Sequence, residues 1–348
     1  MTPIGQQGDV LTVTGLKAYY RMAYFGVDRE VRAVDDITLS IRKNEIYGIA
    51  GESSSGKTTL IKTFASAIRP PLRIVGGSMT FHFKNGDIDP YAAPKARVDA
   101  LRWSHLSYIM QGSMSLLNPV RRVRRTFEDF AFRPMGLASS EFWGRVESHL
   151  QRLDLNPDVL SAYPHQLSGG MRQRVTIALA TVCQPEFVIA DEPTTALDVV
   201  VQKDVLAMIR DVQRQMGSSV VFVTHDMSVH ANTADRIGIM YAGRLVEEGP
   251  TRTLLATPRH PYTAHLVGAL PRIGDTTPKV ALEGRPPNLA DPPSGCRFHP
   301  RCPLAIDKCT TEVPPLEPVG LDHRAACWRS VDVRPLARIG REELEVAH

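Results

Sequence analysis

The chain has 348 residues, 43% of them apolar and 22% charged, which is enough to bury a sizeable core and more than one average domain needs. Lys and Arg total 41 against 37 for Asp and Glu, and a surplus of four charges is too small to argue for a nucleic-acid partner. No run of about 18 apolar residues occurs, and the opening MTPIGQQGDV lacks the basic-then-apolar layout of a secretory leader, so the expectation is a cytosolic chain that does not itself cross a membrane.

In chain order, LTVTGL, ITLSI and EIYGIA between Val10 and Gly51 read as strands separated by polar turns. GESSSGKT, Gly51 to Thr58, comes next, and KTTLIKTFASA, Lys57 to Ala67, has helical apolar spacing. Gly, four residues, then Gly-Lys-Thr between a strand and a helix is a phosphate-binding pattern. Backbone N–H groups and the helix start hold the phosphates, Lys57 neutralises their charge, and the Thr58 hydroxyl ligates magnesium. Ser53, Ser55, Gly56 and Thr59 complete the candidate cradle.

Residues from about 86 to 170 are more charged and carry helical patterns such as FWGRVESHLQRL, which predicts a helical insertion. EFVIAD and SSVVFVTH are apolar runs expected of strands buried on both faces of a parallel sheet. Between them VVQKDVLAMIRDVQRQMG is amphipathic and ends in a glycine, a helix with its C-cap. The first of these strands sets Asp191 at the sheet edge near a metal and makes Glu192 the candidate general base. In LSGGMRQR, Leu167 to Arg174, Ser168, Gly169 and Gly170 sit at a second helix start with N–H groups free for phosphate. Two such starts in one chain suggest that they act on nucleotides from opposite sides.

Past Ala256 the composition changes, and repeated Pro and Gly between 271 and 295 (RPPNLADPPSG) predict a linker into a small tail. Cys296, Cys302, Cys309 and Cys327 lie there as Cys-x5-Cys-x6-Cys-x17-Cys among few apolar residues, the kind of segment that needs a metal or cross-links to hold shape. Their spacing leaves a metal and free structural thiols both open. Cys183, at the end of the apolar VTIALATVC, reads as a core residue of a helix.

LSGGMRQR resembles the signature of ABC ATPases, and its neighbours fit that family in order. Gln111 in YIMQGSMSLLNP resembles the Q-loop, Asp198 in TALD the D-loop, His225 in FVTHD the switch histidine, and Tyr20, with Tyr19 as runner-up, the aromatic that stacks on adenine. HPYTAHL, GRPPNL and the cysteine tail are similar to the ATP-binding subunits of oligopeptide and dipeptide importers. The resemblance implies an α/β fold: a P-loop ABC ATPase core with N-terminal antiparallel strands and a helical subdomain in residues 1–255, and a cysteine-bearing C-terminal domain in 256–348. It further implies ATP hydrolysis by Lys57, Gln111, Glu192 and His225, with Mg2+ on Thr58, Gln111 and Asp191. Ser168, Gly169, Gly170 and Asp198 would serve the nucleotide of a second ATPase subunit packed head to tail.

The implied partners are that subunit, two transmembrane permease subunits and an extracytoplasmic solute-binding protein, at the cytoplasmic face of the cell membrane. A four-iron four-sulfur (4Fe-4S) cluster on the four tail cysteines is implied as well, with Zn2+ the alternative. Peptides are the expected cargo, with oligosaccharides and nickel chelates as alternatives. A soluble ABC ATPase outside transport is the other alternative: one acting on ribosomes would be expected to carry two cassettes in one chain, and a chromosome-organising one long heptad coiled coils. One residue departs from the family pattern: Ser54 stands where a third P-loop glycine is usual, and a left-handed backbone there costs about 1–2 kcal/mol.

Overall fold

The computed structural model describes residues 8–24, 27–112, 116–194, 198–270 and 282–333. Its strands in chain order are β1 (Asp9–Tyr24), β2 (Val27–Arg42), β3 (Ile46–Ala50), β4 (Leu72–Phe83), β5 (Gly86–Ile88), β6 (Leu106–Ile109), β7 (Phe187–Asp191), β8 (Ser219–Val223), β9 (Arg236–Tyr241), β10 (Arg244–Pro250), β11 (Glu317–Gly320) and β12 (His323–Ala325). They form a four-stranded antiparallel sheet, ordered β2-β1-β4-β5, and an eight-stranded mixed sheet, ordered β11-β12-β10-β9-β3-β8-β7-β6. From β9 to β6 the larger sheet is parallel, and β3, β7 and β8 are buried along their whole length. Their unbroken apolar runs follow from cover on both faces.

The Lys57–Phe64 helix lies between the two sheets. Leu60, Ile61 and Phe64 meet Leu16, Ile37 and Phe81 of the small sheet and Ile49, Val221 and Val223 of the large one in one core. The other face of the large sheet packs Val188, Ala190, Val220 and Phe222 on Ile177 of the Gly169–Thr181 helix and on Val205 and Ile209 of the Val199–Met216 helix. That second helix ends at Gly217, whose φ of 65° makes the predicted glycine cap.

Three local expectations change. The phosphate-loop helix stops at Phe64 rather than Ala67, because Ser66 turns to φ 50°. The stretch from 86 to 170 is helical only in part: β5 completes the small sheet and β6 is the edge strand of the large one. Its helices, including Val123–Phe127 and Ser139–Arg152, gather round their own core of Phe127, Phe142, Val146 and Leu150. Cys183 lies beyond the end of the Gly169–Thr181 helix, half-buried against that core.

The tail adds β11 and β12 to the edge of the large sheet, where β12 pairs with β10. Phe298 joins Tyr241 and Tyr262 in a core shared with β9. Part of the predicted linker, 271–281, lies outside the described residues. Among those described, no helix is long and apolar enough to cross a membrane.

Candidate functional site

Between β3 and its helix the chain turns through residues 51–56 and encloses a cavity of about 340 Å3 at the ends of β3 and β8, where parallel sheets hold ligands. Tyr20, Val31, Ala33, the run from Ser53 to Thr59, Glu192, Val223, His225 and Leu289 line it. Two glycines of the loop are sterically required. A Cβ on Gly51 (φ 149°) would lie 2.2 Å from the Met240 carbonyl oxygen, and one on Gly56 (φ 102°) would lie 2.0 Å from that of Ala33. Ser54 takes the left-handed conformation that its place in the loop demands, φ 64°.

Lys57 is buried, and its ammonium donates to the carbonyls of Gly51 (2.7 Å) and Glu52 (2.8 Å). Burial pulls its pKa down to about 8, against the opposing pull of Glu192, Asp191 and Glu52. A buried ammonium beside a helix start is matched to a polyanion. Thr58 is exposed at the cavity, whereas Thr59 is buried and its hydroxyl meets that of Tyr20 at 3.2 Å. Tyr19 turns the other way and donates its hydroxyl to Asp35, so of the two tyrosines it is Tyr20 that faces the cavity.

β7 delivers Asp191 and Glu192. Asp191 is buried, accepts from the Tyr108 hydroxyl at 3.1 Å, and has its pKa raised chiefly by burial. Glu192 adopts φ 44°, a conformation costing on the order of 1–3 kcal/mol, while its N–H donates to the Val223 carbonyl at 2.8 Å. Its carboxylate accepts from the Gln111 amide at 2.8 Å and lies 3.1 Å from His225 Nδ1. The structure therefore brings Gln111, Glu192 and His225 together at the mouth of the cavity.

Ser168, Gly169, Gly170 and Asp198 are not among the residues lining that cavity. Ser168 caps the Gly169–Thr181 helix by accepting from the Met171 N–H at 3.2 Å, and Asp198 caps the next helix by accepting from the Val201 N–H at 3.0 Å. Both caps are exposed.

Sequence reasoning missed Tyr108, Leu289 and Tyr262 at this site. Tyr262 belongs to HPYTAHL, and its position explains that motif: His260 caps the helix, Pro261 occupies its first turn, and the Tyr262 hydroxyl accepts from the Glu52 N–H at 2.6 Å.

Of the four tail cysteines Cys309 is buried and Cys296, Cys302 and Cys327 are half-buried. Burial and then the neighbouring thiols push Cys302 up to about 12 and Cys327 up to about 11, and the Cys296 N–H donates to the Cys309 carbonyl at 2.8 Å. Among the described residues no three His, Cys, Asp or Glu side chains converge to hold one metal ion, so the arrangement does not fit a tetrahedral Zn2+ site. Nor, among those residues, does it display a preformed cluster site, since three of the four thiols are only half-buried.

The ABC transporter family matches residues 34–195, and the C-terminal region of oligopeptide/dipeptide transporters matches residues 246–309. The chain is 37% identical over 318 residues to the oligopeptide transport ATP-binding protein OppD of Escherichia coli, covering 90% of this chain and 92% of that protein. It is 35% identical over 330 residues to the dipeptide transport ATP-binding protein DppD of Caldanaerobacter subterraneus, covering 94% and 99%. Its fold is shared, at a TM-score of 0.58 and 24% identity over 70% of this chain, with a dimeric ATP-binding cassette solved in a post-hydrolysis state with ADP and phosphate, 99% of which is covered. The chain belongs to the ATP-binding proteins of ABC transporters and is an ATPase of the group that carries the oligopeptide/dipeptide transporter C-terminal region.

Proposed function

We propose that this chain supplies the ATP hydrolysis that drives a peptide importer. The observation that carries the reading is the Glu192 carboxylate held between Gln111 and His225 at the mouth of the phosphate-loop cavity. Glu192 takes the proton of the attacking water, His225 and Gln111 fix the carboxylate, and Lys57 with the loop amides stabilises charge on the transferred phosphoryl group. Thr58, Gln111 and Asp191 hold Mg2+, which when bound neutralises the phosphates. Tyr20 stacks on the base. Ser168, Gly169, Gly170 and Asp198, set away from this cavity, complete the nucleotide site of a second ATPase subunit packed head to tail.

Residues 1–255 act as the nucleotide-binding domain and 256–348 as an appended structural domain, in which Cys296, Cys302, Cys309 and Cys327 hold a 4Fe-4S cluster. Those ligands tie down a segment with too little apolar surface to offset its chain entropy. The working assembly comprises the two ATPase subunits, two permease subunits and a solute-binding protein, with this chain at the cytoplasmic face of the membrane.

Proteins copurified with the chain from native membranes under anaerobic conditions and placed in liposomes should take up labelled peptide only with ATP inside. Lys57→Ala should abolish that uptake, and the same preparation should carry about four irons per chain. Uptake by Lys57→Ala at the wild-type rate would refute the transport reading, and iron-free protein would refute the cluster.

A further inference from the structure

The helix opened by His260 and the segment from 282 to 301 press on the phosphate loop through contacts that the hydrolytic chemistry does not use. Glu52, the loop's second residue, is held twice: its N–H by the Tyr262 hydroxyl at 2.6 Å, and its carboxylate by both prongs of the Arg301 guanidinium, at 2.8 and 3.1 Å. The Arg301 side chain is only 6% exposed, and its remaining nitrogen donates to the Glu283 carbonyl at 3.0 Å. One guanidinium thus fastens the loop to the C-terminal segment. The Glu52 carbonyl in turn accepts from Lys57 Nζ at 2.8 Å, so whatever holds Glu52 also seats Lys57.

Farther along the same segment, the Leu289 carbonyl accepts from the Arg32 N–H of β2 at 2.9 Å. Leu289 lines the cavity together with Tyr20 and Val31, large apolar residues in a lining otherwise dominated by the loop. A nucleobase is the part of ATP that such surface would cover, since the phosphates need N–H groups and cations.

We propose that the C-terminal segment is a wall of its own subunit's nucleotide site, with Leu289 contacting the base and Arg301 acting as a positioning residue that sets the phosphate loop through Glu52. This rests on the ATPase reading of the cavity. A two-pronged Arg–carboxylate pair, its guanidinium side largely buried, fixes orientation in a way a lysine cannot reproduce, which is why the contact can govern loop geometry rather than only charge.

The two residues leave different signatures when the full-length chain is titrated calorimetrically with MgATP and with magnesium tripolyphosphate, which has no base. Leu289→Ala should weaken ATP about 3- to 10-fold and leave tripolyphosphate within about twofold, as expected for partial loss of an apolar contact. Arg301→Lys, which keeps the charge and loses the fork, should weaken both ligands by the same factor, about 5- to 20-fold. Glu52→Gln removes the same pair from the loop's side and should reproduce that equal loss, which covers the case in which Arg301→Lys does not fold. Leu289→Ala that weakens neither ligand, or both equally, would overturn the base contact. Arg301→Lys or Glu52→Gln with wild-type affinities would overturn the positioning role. A wild-type chain that binds neither ligand would instead overturn the ATPase reading, and this proposal with it.

Discussion

Where β3, β7 and β8 end, Lys57 is buried on carbonyls of its own loop, Ser54 and Glu192 are bent into left-handed backbone, and the His225 side chain is 69% exposed. Where β9, β10 and β12 meet, charge is handled differently. Arg236 lies between Glu45 (3.1 Å) and Glu248 (2.7 Å), Tyr47 donates to Glu248 at 2.8 Å, and Arg324 closes on the same carboxylate, whose side chain is 1% exposed. Beside them Glu247 accepts from the N–H groups of Arg259 (2.7 Å) and His260 (2.8 Å) and pairs with His323 at 2.7 Å. The first region stores strain and holds a lysine at a depressed pKa, as sites that act on a ligand do. The second compensates nearly every buried charge and serves as a latch between the core sheet and the tail.

If the latch is structural, cutting it should cost stability and spare the nucleotide site. Arg236→Ala leaves the buried Glu45 without its cation and Glu248 with Arg324 as its remaining one, and should destabilise the chain by about 3–5 kcal/mol in urea unfolding, with ATP affinity within about twofold. A tenfold loss of ATP affinity at unchanged stability would erase the distinction between the two regions.

A smaller effect sharpens the other side of the contrast. Burial holds Lys57 near a pKa of about 8, whereas bound phosphates favour its charged form, so binding takes up a proton. Affinity should therefore be highest below that pKa and fall about tenfold between pH 7 and 9, with proton uptake visible as a buffer-dependent heat. Lys57→Arg should remove the dependence, because a guanidinium stays charged throughout. An affinity independent of pH in the wild type would mean that burial does not hold the Lys57 pKa down.

Legibility in the sequence followed how local each feature is. The phosphate loop is a short stretch whose glycines are demanded by nearby backbone, so spacing alone revealed Gly51, Gly56 and Lys57, and Ser54 proved to be the strained departure it promised. The buried strands β7 and β8 and the glycine-capped helix were equally plain. The preference for Tyr20 over Tyr19 came from the resemblance, since alternation along β1 does not say which face meets Asp35 and which the cavity, and it is Tyr20 that lines the cavity. β11 and β12 are four and three residues long, too short for any periodicity, and exist because β10 offers them an edge. Arg301 and Glu52 lie 249 residues apart, and nothing in the composition of either segment announces their pairing.

The Glu192 carboxylate is gripped by Gln111 and His225 beside the loop, where a general base is needed. Steady-state ATP turnover of the assembled transporter should fall about 10²- to 10⁴-fold in Glu192→Gln, while ATP binding stays within about threefold of wild type, because the amide keeps the shape and loses the base. Turnover within about threefold of wild type would contradict the account, since general-base loss of that size cannot go unseen.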